Sequence, residues 1–420
     1  MRVLAISTAD WKGGSARVAH YLTAGLRARG IEADLFVRDQ ATEAHFVHKL
    51  PLVSLPKDSL RWKALWRLGY GHLNLGTRLT PAFAASGELD RYDVIHVHDM
   101  PPFSLWEACR RLRRPLVWTV HSMQPLTGNC IYAYDCDRWT RSCGACPQFG
   151  TWPLIYQARD ASAEILRIKR ALYRRMTFQA VGVSHWITDQ IAKSAMASDI
   201  APQTVQNPSW APDYHPTDRN AARARLGVPE LAFAILFAVS GTLADTRKGL
   251  DIVVEAVQRL RATLPEAANV FLLPTGIVAP SDAMGAMLDA FPGLPPRHLE
   301  SPADLRDYYT AADVVWHPSR ADTSSMVSLE AFGCGTPVIA ARVGGVPEIV
   351  EHERSGLLIP PNDPEALVQA TRRLIELPEL CTALRDGALA KAAAHSPDRF
   401  TGAYLDLYGE AIARDRHPRS

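Results

Sequence analysis

Apolar and polar positions along this chain follow two alternating periods. Short aliphatic runs at Arg2–Ser7, Asp34–Val37, Asp93–Val97, Leu116–Val120 and Gln179–Val183 read as buried strands. Between them, Ala16–Arg29, Pro102–Arg113 and Ser184–Ser194 carry helical spacing, while residues 40–88 are less regular. The alternation resumes with a strand at Ala232–Val239, a helix at Gly249–Leu264 and a strand at Val270–Leu273. Strands at Val314–Trp316 and Pro337–Ala340 then bracket a helix that begins near Ser324 or Ser325. Strand-helix alternation predicts an α/β protein of two doubly wound, Rossmann-like parallel-sheet domains facing a central cleft. Residues 207–230 are rich in proline and polar residues and predict a linker with a short helix. The expected division is 1–206, a linker 207–230, a second domain 231–397 and a final segment 398–420 containing a helix at Phe400–Ala413.

Ligands of open parallel sheets bind at the carboxyl ends of the strands, which here places Ser319–Ser325 and Arg342–Val346 at a crevice. A helix opening on Ser324, Ser325 and Met326 offers unpaired N–H groups that suit a phosphate. Asp322 precedes that helix, and Glu330 lies within it at a distance suited to the hydroxyls of a ribose. A surface helix with a solvated Glu fits the same pattern. Arg247 and Lys248, between a strand and a helix, suit a diphosphate leaving group whose charge grows as its bond breaks; an exposed basic turn is the plainer alternative. Gly13 and Gly14 permit close backbone approach, although the turn lacks the Gly-x-Gly-x-x-Gly spacing of a dinucleotide site. His98 and His121 each end a strand, where a near-neutral imidazole can donate or accept a proton.

Composition narrows the class. The chain has 420 residues, 47% hydrophobic and 21% charged, enough for two soluble domains with separate cores. The net charge of +2 hides an asymmetry: residues 1–200 hold 26 Lys+Arg against 17 Asp+Glu, and the remainder 20 against 27. The basic half suggests an anionic partner, either a membrane surface or a phosphorylated acceptor; a chance imbalance of two solvated surfaces gives the same count. No run approaches the ~18–20 apolar residues of a membrane span, and no signal-peptide pattern precedes the first strand. The expectation is a cytoplasmic protein, with peripheral attachment at the inner face of the plasma membrane left open. Two segments mix aromatics with cations, 59–78 and 165–176. The second reads as a core-facing stripe with its cations in water; the first is open between a surface helix and a membrane-interface helix.

Seven cysteines include four within seventeen residues: Cys130, Cys136, Cys143 and Cys146. That density, with the Cys143-Gly144-Ala145-Cys146 pair, suits a structural tetrahedral zinc with Zn–S of about 2.3 Å. Disulfides and free thiols are the alternatives.

The stretch from Asp322 resembles the donor-binding motif of the family-4 glycosyltransferases, retaining enzymes of the GT-B fold. Their motif runs Glu, seven residues, Glu, then Ala-Met-Ala-x-Gly-x-Pro-Val. This chain has Asp322, seven residues, Glu330, then Ala331-Phe332-Gly333-Cys334-Gly335-Thr336-Pro337-Val338. Val343–Val350 and Ser355–Leu358 also match. The chain departs from the family at Asp322, usually Glu, and at Thr242, usually Arg. The resemblance implies a nucleotide-diphosphate sugar as donor and a glycan or lipid-linked acceptor, with no catalytic metal and no nucleic-acid partner. It implies that Glu330 binds ribose, that Lys248, Arg247 and the Ser325–Val327 amides bind diphosphate, and that Gly13 and Gly14 border it. Asp322 and His121, the latter in a Thr119-x-His121 match, would touch the transferred sugar. The last helix of such proteins often crosses back to the first domain. The cysteine-rich segment is similar to that of a subgroup making bacterial surface polysaccharides, the colanic-acid type, which also favours Asp at the position of Asp322. Competing readings are a sugar-nucleotide epimerase, a glycogen-type phosphorylase and a non-catalytic sugar-nucleotide-binding subunit.

Overall fold

A computed structural model describes residues 1–73, 77–98, 100, 106, 109, 114–151, 157–197, 200–210, 212–238, 246–265, 269–276, 287–299 and 301–416. Of the expected helix Pro102–Arg113 only Trp106 and Cys109 are among them, and Thr242 lies outside. The chain divides into two units: Met1–Asn207 with Asp398–Ser420, and Pro208–Pro397.

Among the described residues nine strands fall in the first unit: β1 (Arg2–Ala9), β2 (Glu32–Asp39), β3 (Val47–Lys49), β4 (Leu52–Ser54), β5 (Thr77–Leu79), β6 (Val94–His98), β7 (Leu116–Val120), β8 (Gln179–Gly182) and β9 (Gln203–Thr204). Seven form a parallel sheet in the order β3-β2-β1-β6-β7-β8-β9, while β4 and β5 pair separately and antiparallel. Every residue of β6 and β7 is buried, as near-continuous apolar runs in a sheet covered on both faces require. The order reverses between β1 and β6, the switch point at which such sheets open a crevice.

The second unit holds β10 (Phe233–Ala238), β11 (Val270–Thr275), β12 (Val314–His317), β13 (Val338–Ala341) and β14 (Gly356–Ile359), all parallel, in the order β11-β10-β12-β13-β14. Its switch point lies between β10 and β12. Trp316 on β12 is 1% exposed and donates its indole N–H to Thr371 at 3.0 Å, so its ring is both buried and satisfied.

One expectation needs correction, at Lys169, and two regions gain detail. Of the segment 207–230, Asn207 ends the first unit and the chain from Pro208 belongs to the second, where Trp210 and Tyr214 are each 1% exposed. Its helix, Arg219–Leu226, carries two arginines onto one carboxylate, with Arg219 Nη2 at 2.5 Å from Asp313 Oδ1 and Arg223 Nη2 at 2.7 Å from Oδ2. Asp313 also accepts the Ala234 N–H, so this clamp fixes the start of β12 against β10. The helix Ser162–Tyr173 turns an apolar stripe inward as expected, but Lys169 goes in with it and gives its ammonium protons to the Gln124 and Thr127 carbonyls. The region 40–88 holds the paired strands β4 and β5 and the helix Leu60–Arg67, which buries no residue.

The final helix, Pro397–Arg416, packs on the first unit. Tyr404 and Tyr408 are fully buried there, with hydroxyls on Thr119 and His96. No helix among the described residues is long and apolar enough to cross a membrane.

Candidate functional site

In the second unit the polar side chains gather beyond the carboxyl ends of β10 and β12. A 3-10 turn, Thr246–Lys248, leads into the helix Leu250–Thr263 through Gly249 at φ 71°. A side chain there would bring a Cβ within 2.5 Å of the Pro318 carbonyl oxygen, so glycine is what lets this turn lie on the β12 loop. Arg320 ties the two together. Its backbone N–H donates to the Arg247 carbonyl, and its guanidinium donates to the Thr246 carbonyl, to both Asp251 oxygens and to Asn362.

The turn delivers Lys248 Nζ to 3.8 Å from Asp322 Oδ2. On the other side His317, the last residue of β12, places Nε2 3.2 Å from the same oxygen, within ion-pair range but without hydrogen-bond geometry. Burial opposes ionisation of Asp322, but the contact with His317 and the charges of Lys248 and Arg247 outweigh it. Its carboxyl is held well below the usual carboxylate range. Burial pushes His317 down, and Asp322 only partly restores it. The result is a buried carboxylate with cations on one side and a neutral-leaning imidazole on the other. The Ser319 hydroxyl, 1% exposed, has no hydrogen-bond partner among the described residues.

Asp322 Oδ1 accepts the Ser324 N–H, and its carbonyl accepts the Gly345 N–H. Ser325 caps the helix Met326–Gly333 by accepting the Ser328 N–H at 3.2 Å, leaving the helix's opening amides at Met326 and Val327 beside this loop. Glu330 is 2% exposed and accepts a hydrogen bond from the Tyr309 hydroxyl at 2.9 Å. The plain reading of this helix, with a solvated Glu, is therefore wrong. The structure brings together Lys248, Arg247, Asp322 and the Ser325 cap. Sequence reasoning missed His317, Arg320 and Tyr309; a His five residues before Asp322 at a strand end was the available signal.

In the first unit Gly13 caps the helix Gly14–Ala28 with φ 99° and ψ 160°, a region glycine alone occupies. A Cβ there would meet nothing, so the backbone angle and not crowding requires glycine. The buried Asp10, also unanticipated, accepts hydrogen bonds from the Ala41 and Thr42 N–H groups and from the Thr42 hydroxyl, fixing the turn after β1.

Across β6 and β7, His98 Nδ1 lies 3.0 Å from His121 Nε2. His98 closes β6 and is fully buried, whereas His121 is half-buried just past β7. His96, two residues earlier, bonds the Tyr408 hydroxyl and the Thr119 hydroxyl, each at 2.7 Å. Burial pushes His96 down to about 3, and His98 well below its ordinary value.

Cys130, Cys136, Cys143 and Cys146 line one cavity of about 20 Å³. All seven cysteines are free thiols. Burial pushes the Cys130 thiol up to about 12 and Cys143 up to about 11. Among the described residues no group of three or more His, Cys, Asp or Glu already has metal-holding spacing.

Residues 234–377 match the family described as Glycosyl transferases group 1, and residues 12–196 match Glycosyltransferase Family 4. A D-inositol 3-phosphate glycosyltransferase of Saccharomonospora viridis is 31% identical over 357 residues, covering 81% of this chain and 74% of that protein. The one from Stackebrandtia nassauensis is 29% identical over 427 residues, 94% of this chain and 87% of its own length. Among solved structures, sucrose-phosphate synthase of Thermosynechococcus elongatus has a TM-score of 0.70 at 20% identity, covering 98% of this chain and 100% of that one. Anabaena HepE in complex with UDP-glucose has a TM-score of 0.68 at 17% identity, with 98% and 100% covered. At these identities the two structures establish the fold alone: GT-B, with two Rossmann-like sheets.

Proposed function

The chain belongs to the group 1 glycosyltransferases, which draw on a nucleotide sugar, and from that premise we propose a retaining transfer of a hexose to a hydroxyl of a phosphorylated acceptor. One observation carries the donor half of the proposal: Lys248 Nζ stands 3.8 Å from the buried Asp322, whose loop leads into the Ser325-capped first turn at Met326 and Val327. Lys248, Arg247 and those amides hold the diphosphate, whose charge grows as the glycosidic bond breaks. Glu330, oriented by Tyr309, accepts the ribose hydroxyls. Asp322 receives the transferred sugar, held in place by His317 on its far side. His121 contacts the same sugar, and Gly13 and Gly14 stay donor-binding backbone. The acceptor hydroxyl attacks from the face the diphosphate leaves, and the leaving phosphate takes its proton.

Two observations favour a phosphorylated acceptor. The S. viridis and S. nassauensis relatives are named for D-inositol 3-phosphate, and residues 1–200 carry the excess of cations. A second reading keeps a glycan or lipid-linked acceptor in surface-polysaccharide synthesis, favoured by the four-cysteine segment. Peripheral binding to an anionic membrane belongs with that reading, supported by the exposed Leu60 that opens the cationic helix Leu60–Arg67 and the exposed Leu68 that ends it. A thermal-shift screen of nucleotide sugars identifies the donor, since only a ligand of the native state raises the melting temperature. Product formation is then followed with inositol phosphate and with lipid-linked sugar as acceptors, and the anomeric proton of the product is read by NMR. An inverted product ends the retention claim, and exclusive use of the lipid-linked acceptor ends the phosphorylated-acceptor claim.

The proposal includes a structural zinc on Cys130, Cys136, Cys143 and Cys146. Burial holds the Cys143 and Cys146 thiols above their ordinary value, and the backbone N–H groups of Gly128, and of Gln148 with Phe149, offset only part of that, so metal binding would have to displace their protons. Burial lowers the Lys169 ammonium to about 8, and thiolates at Cys130 and Cys143 would favour its charged form. The thiols would have to turn inward across their shared cavity to reach one ion.

A further inference from the structure

The short turn that carries Lys248 is held from outside. It closes on itself through a bond of 3.2 Å from the Gly249 N–H to the Thr246 carbonyl. The loop after β12 grips it on both sides of Lys248. Before Lys248, Arg320 takes two successive carbonyls: its backbone N–H donates to Arg247 at 2.8 Å, and its Nη1 donates to Thr246 at 2.6 Å. After Lys248, Gly249 lies against the Pro318 carbonyl oxygen, too close for any Cβ. Asp322 stands two residues beyond Arg320 on the same loop, so the anchor of the turn and the neighbour of Lys248 share one stretch of chain.

An arginine beside a crevice for a diphosphate invites the reading that it binds the anion. Its donors point elsewhere. A guanidinium has five N–H groups, and four of those on Arg320 go to protein acceptors: Nε to Asn362 Oδ1 at 2.6 Å, Nη1 to the Thr246 carbonyl and to Asp251 Oδ1, and Nη2 to Asp251 Oδ2 at 2.6 Å. The Asp251 carboxylate neutralises the group and repels a phosphate that approaches it. Asn362, in the loop after β14, takes φ 58°, so one planar fork joins that loop, the loop after β12 and the Thr246–Lys248 turn. The Arg320 and Asp251 side chains are 22% and 63% exposed, and an ion pair so open to water adds little to global stability. What it contributes is position.

We infer that Arg320 is a positioning residue for the diphosphate site: it pins the Thr246–Lys248 turn to the loop of Asp322 and so sets where the Lys248 ammonium stands, without binding the diphosphate itself. The diphosphate contact rests on the proposed role of Lys248; the hold on the turn does not. A guanidinium that bound phosphate would add its effect to that of Lys248. One that acts through Lys248 has nothing left to position once the ammonium is gone.

Two readouts test this on the full chain. The first is calorimetric titration with inorganic pyrophosphate, which carries the diphosphate without base or sugar. Lys248→Ala should weaken binding about 10- to 100-fold, the usual loss of one bond to a charged group. Arg320→Gln should weaken it about 10-fold, and adding Arg320→Gln to Lys248→Ala should cost no more than about 2-fold further. Losses that multiply in the double variant overturn the inference, as does wild-type affinity in Arg320→Gln. The second readout is a crystal structure of Arg320→Gln. The sheet should be unchanged and the turn shifted, with Lys248 Nζ drawn away from Asp322; an unmoved turn overturns the hold whatever the affinity. Wild-type pyrophosphate affinity in Lys248→Ala, or no binding by the unaltered protein, ends the diphosphate role instead and leaves the crystal structure to decide the hold. If Arg320→Gln does not fold, Asp251→Asn keeps the arginine but loosens its grip, and should lower pyrophosphate affinity about 3-fold; unchanged affinity there overturns the inference.

Discussion

Gly344 lies so close to Asp322 that a methyl group at position 344 would overlap the Asp322 carbonyl oxygen. Gly344 also has φ 51°, which a side chain resists. The pair joins the two loops at the carboxyl ends of β12 and β13, and Gly345 completes the join by donating to the same carbonyl. Gly344→Ala should therefore cost about 1–2 kcal/mol from backbone strain alone and shift Asp322 away from Lys248. Activity should fall further than stability does. Denaturant unfolding and turnover measured on one preparation check this, and a variant with wild-type turnover would show that the position of Asp322 is not critical.

Lys248→Ala removes the charge assigned to the leaving diphosphate. Turnover should drop about 100- to 1,000-fold, the usual loss when one such donor is deleted. Asp322 keeps His317 and Arg247 as neighbours, so the fold should survive. Lys248→Arg should recover part of the rate. Normal turnover in a folded Lys248→Ala protein removes the residue from the mechanism.

The buried His96 makes stability fall with acid. Its folded pKa, about 3, lies below the unfolded value near 6.5, so the unfolded chain binds the extra proton between those limits. Its contribution is complete above the unfolded value and is lost as pH falls toward 3, with a slope of about 1.4 kcal/mol per pH unit for one group. His98 is depressed in the same direction and should add to the slope. Urea unfolding at pH 7.5, 6.5 and 5.5 measures it; a flat profile across that range contradicts neutral burial of both rings.

For the four thiols, protein purified without chelator should carry about one zinc per chain, and its removal should lower the melting temperature by several degrees. Cys143→Ser should lose both the metal and that shift. Less than one zinc per several chains would leave a reduced thiol cluster.

Much of this was legible in the sequence. β7 falls where its apolar run predicts, and the Asp322 to Val338 motif lies on the expected strand, loop and helix. The failures share a cause: charged and polar residues that the protein buries. Arg219 and Arg223 made 207–230 look solvated, but their guanidinium groups close on Asp313, ninety residues away. Lys169 looked like the wet side of an amphipathic helix, yet two carbonyls take it inside. His317 sat unnoticed because its partner becomes visible only when the loop folds back on the strand. Local pattern reports a side chain's polarity, not whether distant chain will satisfy it.

The path of the chain sets an order of assembly. Pro208–Pro397 is continuous and can close its sheet as soon as it has been synthesised. Met1–Asn207 is made first, but it waits for Tyr404 and Tyr408 to bring their hydroxyls to Thr119 and His96. Until then His96 and Thr119 hold only each other, each short of its tyrosine hydroxyl, and the His96 ring lacks the two aromatic rings that pack on it. The half of the protein that leaves the ribosome first is thus the last to mature, and a chain that stops short of residue 404 would carry a finished second unit beside an unfinished first.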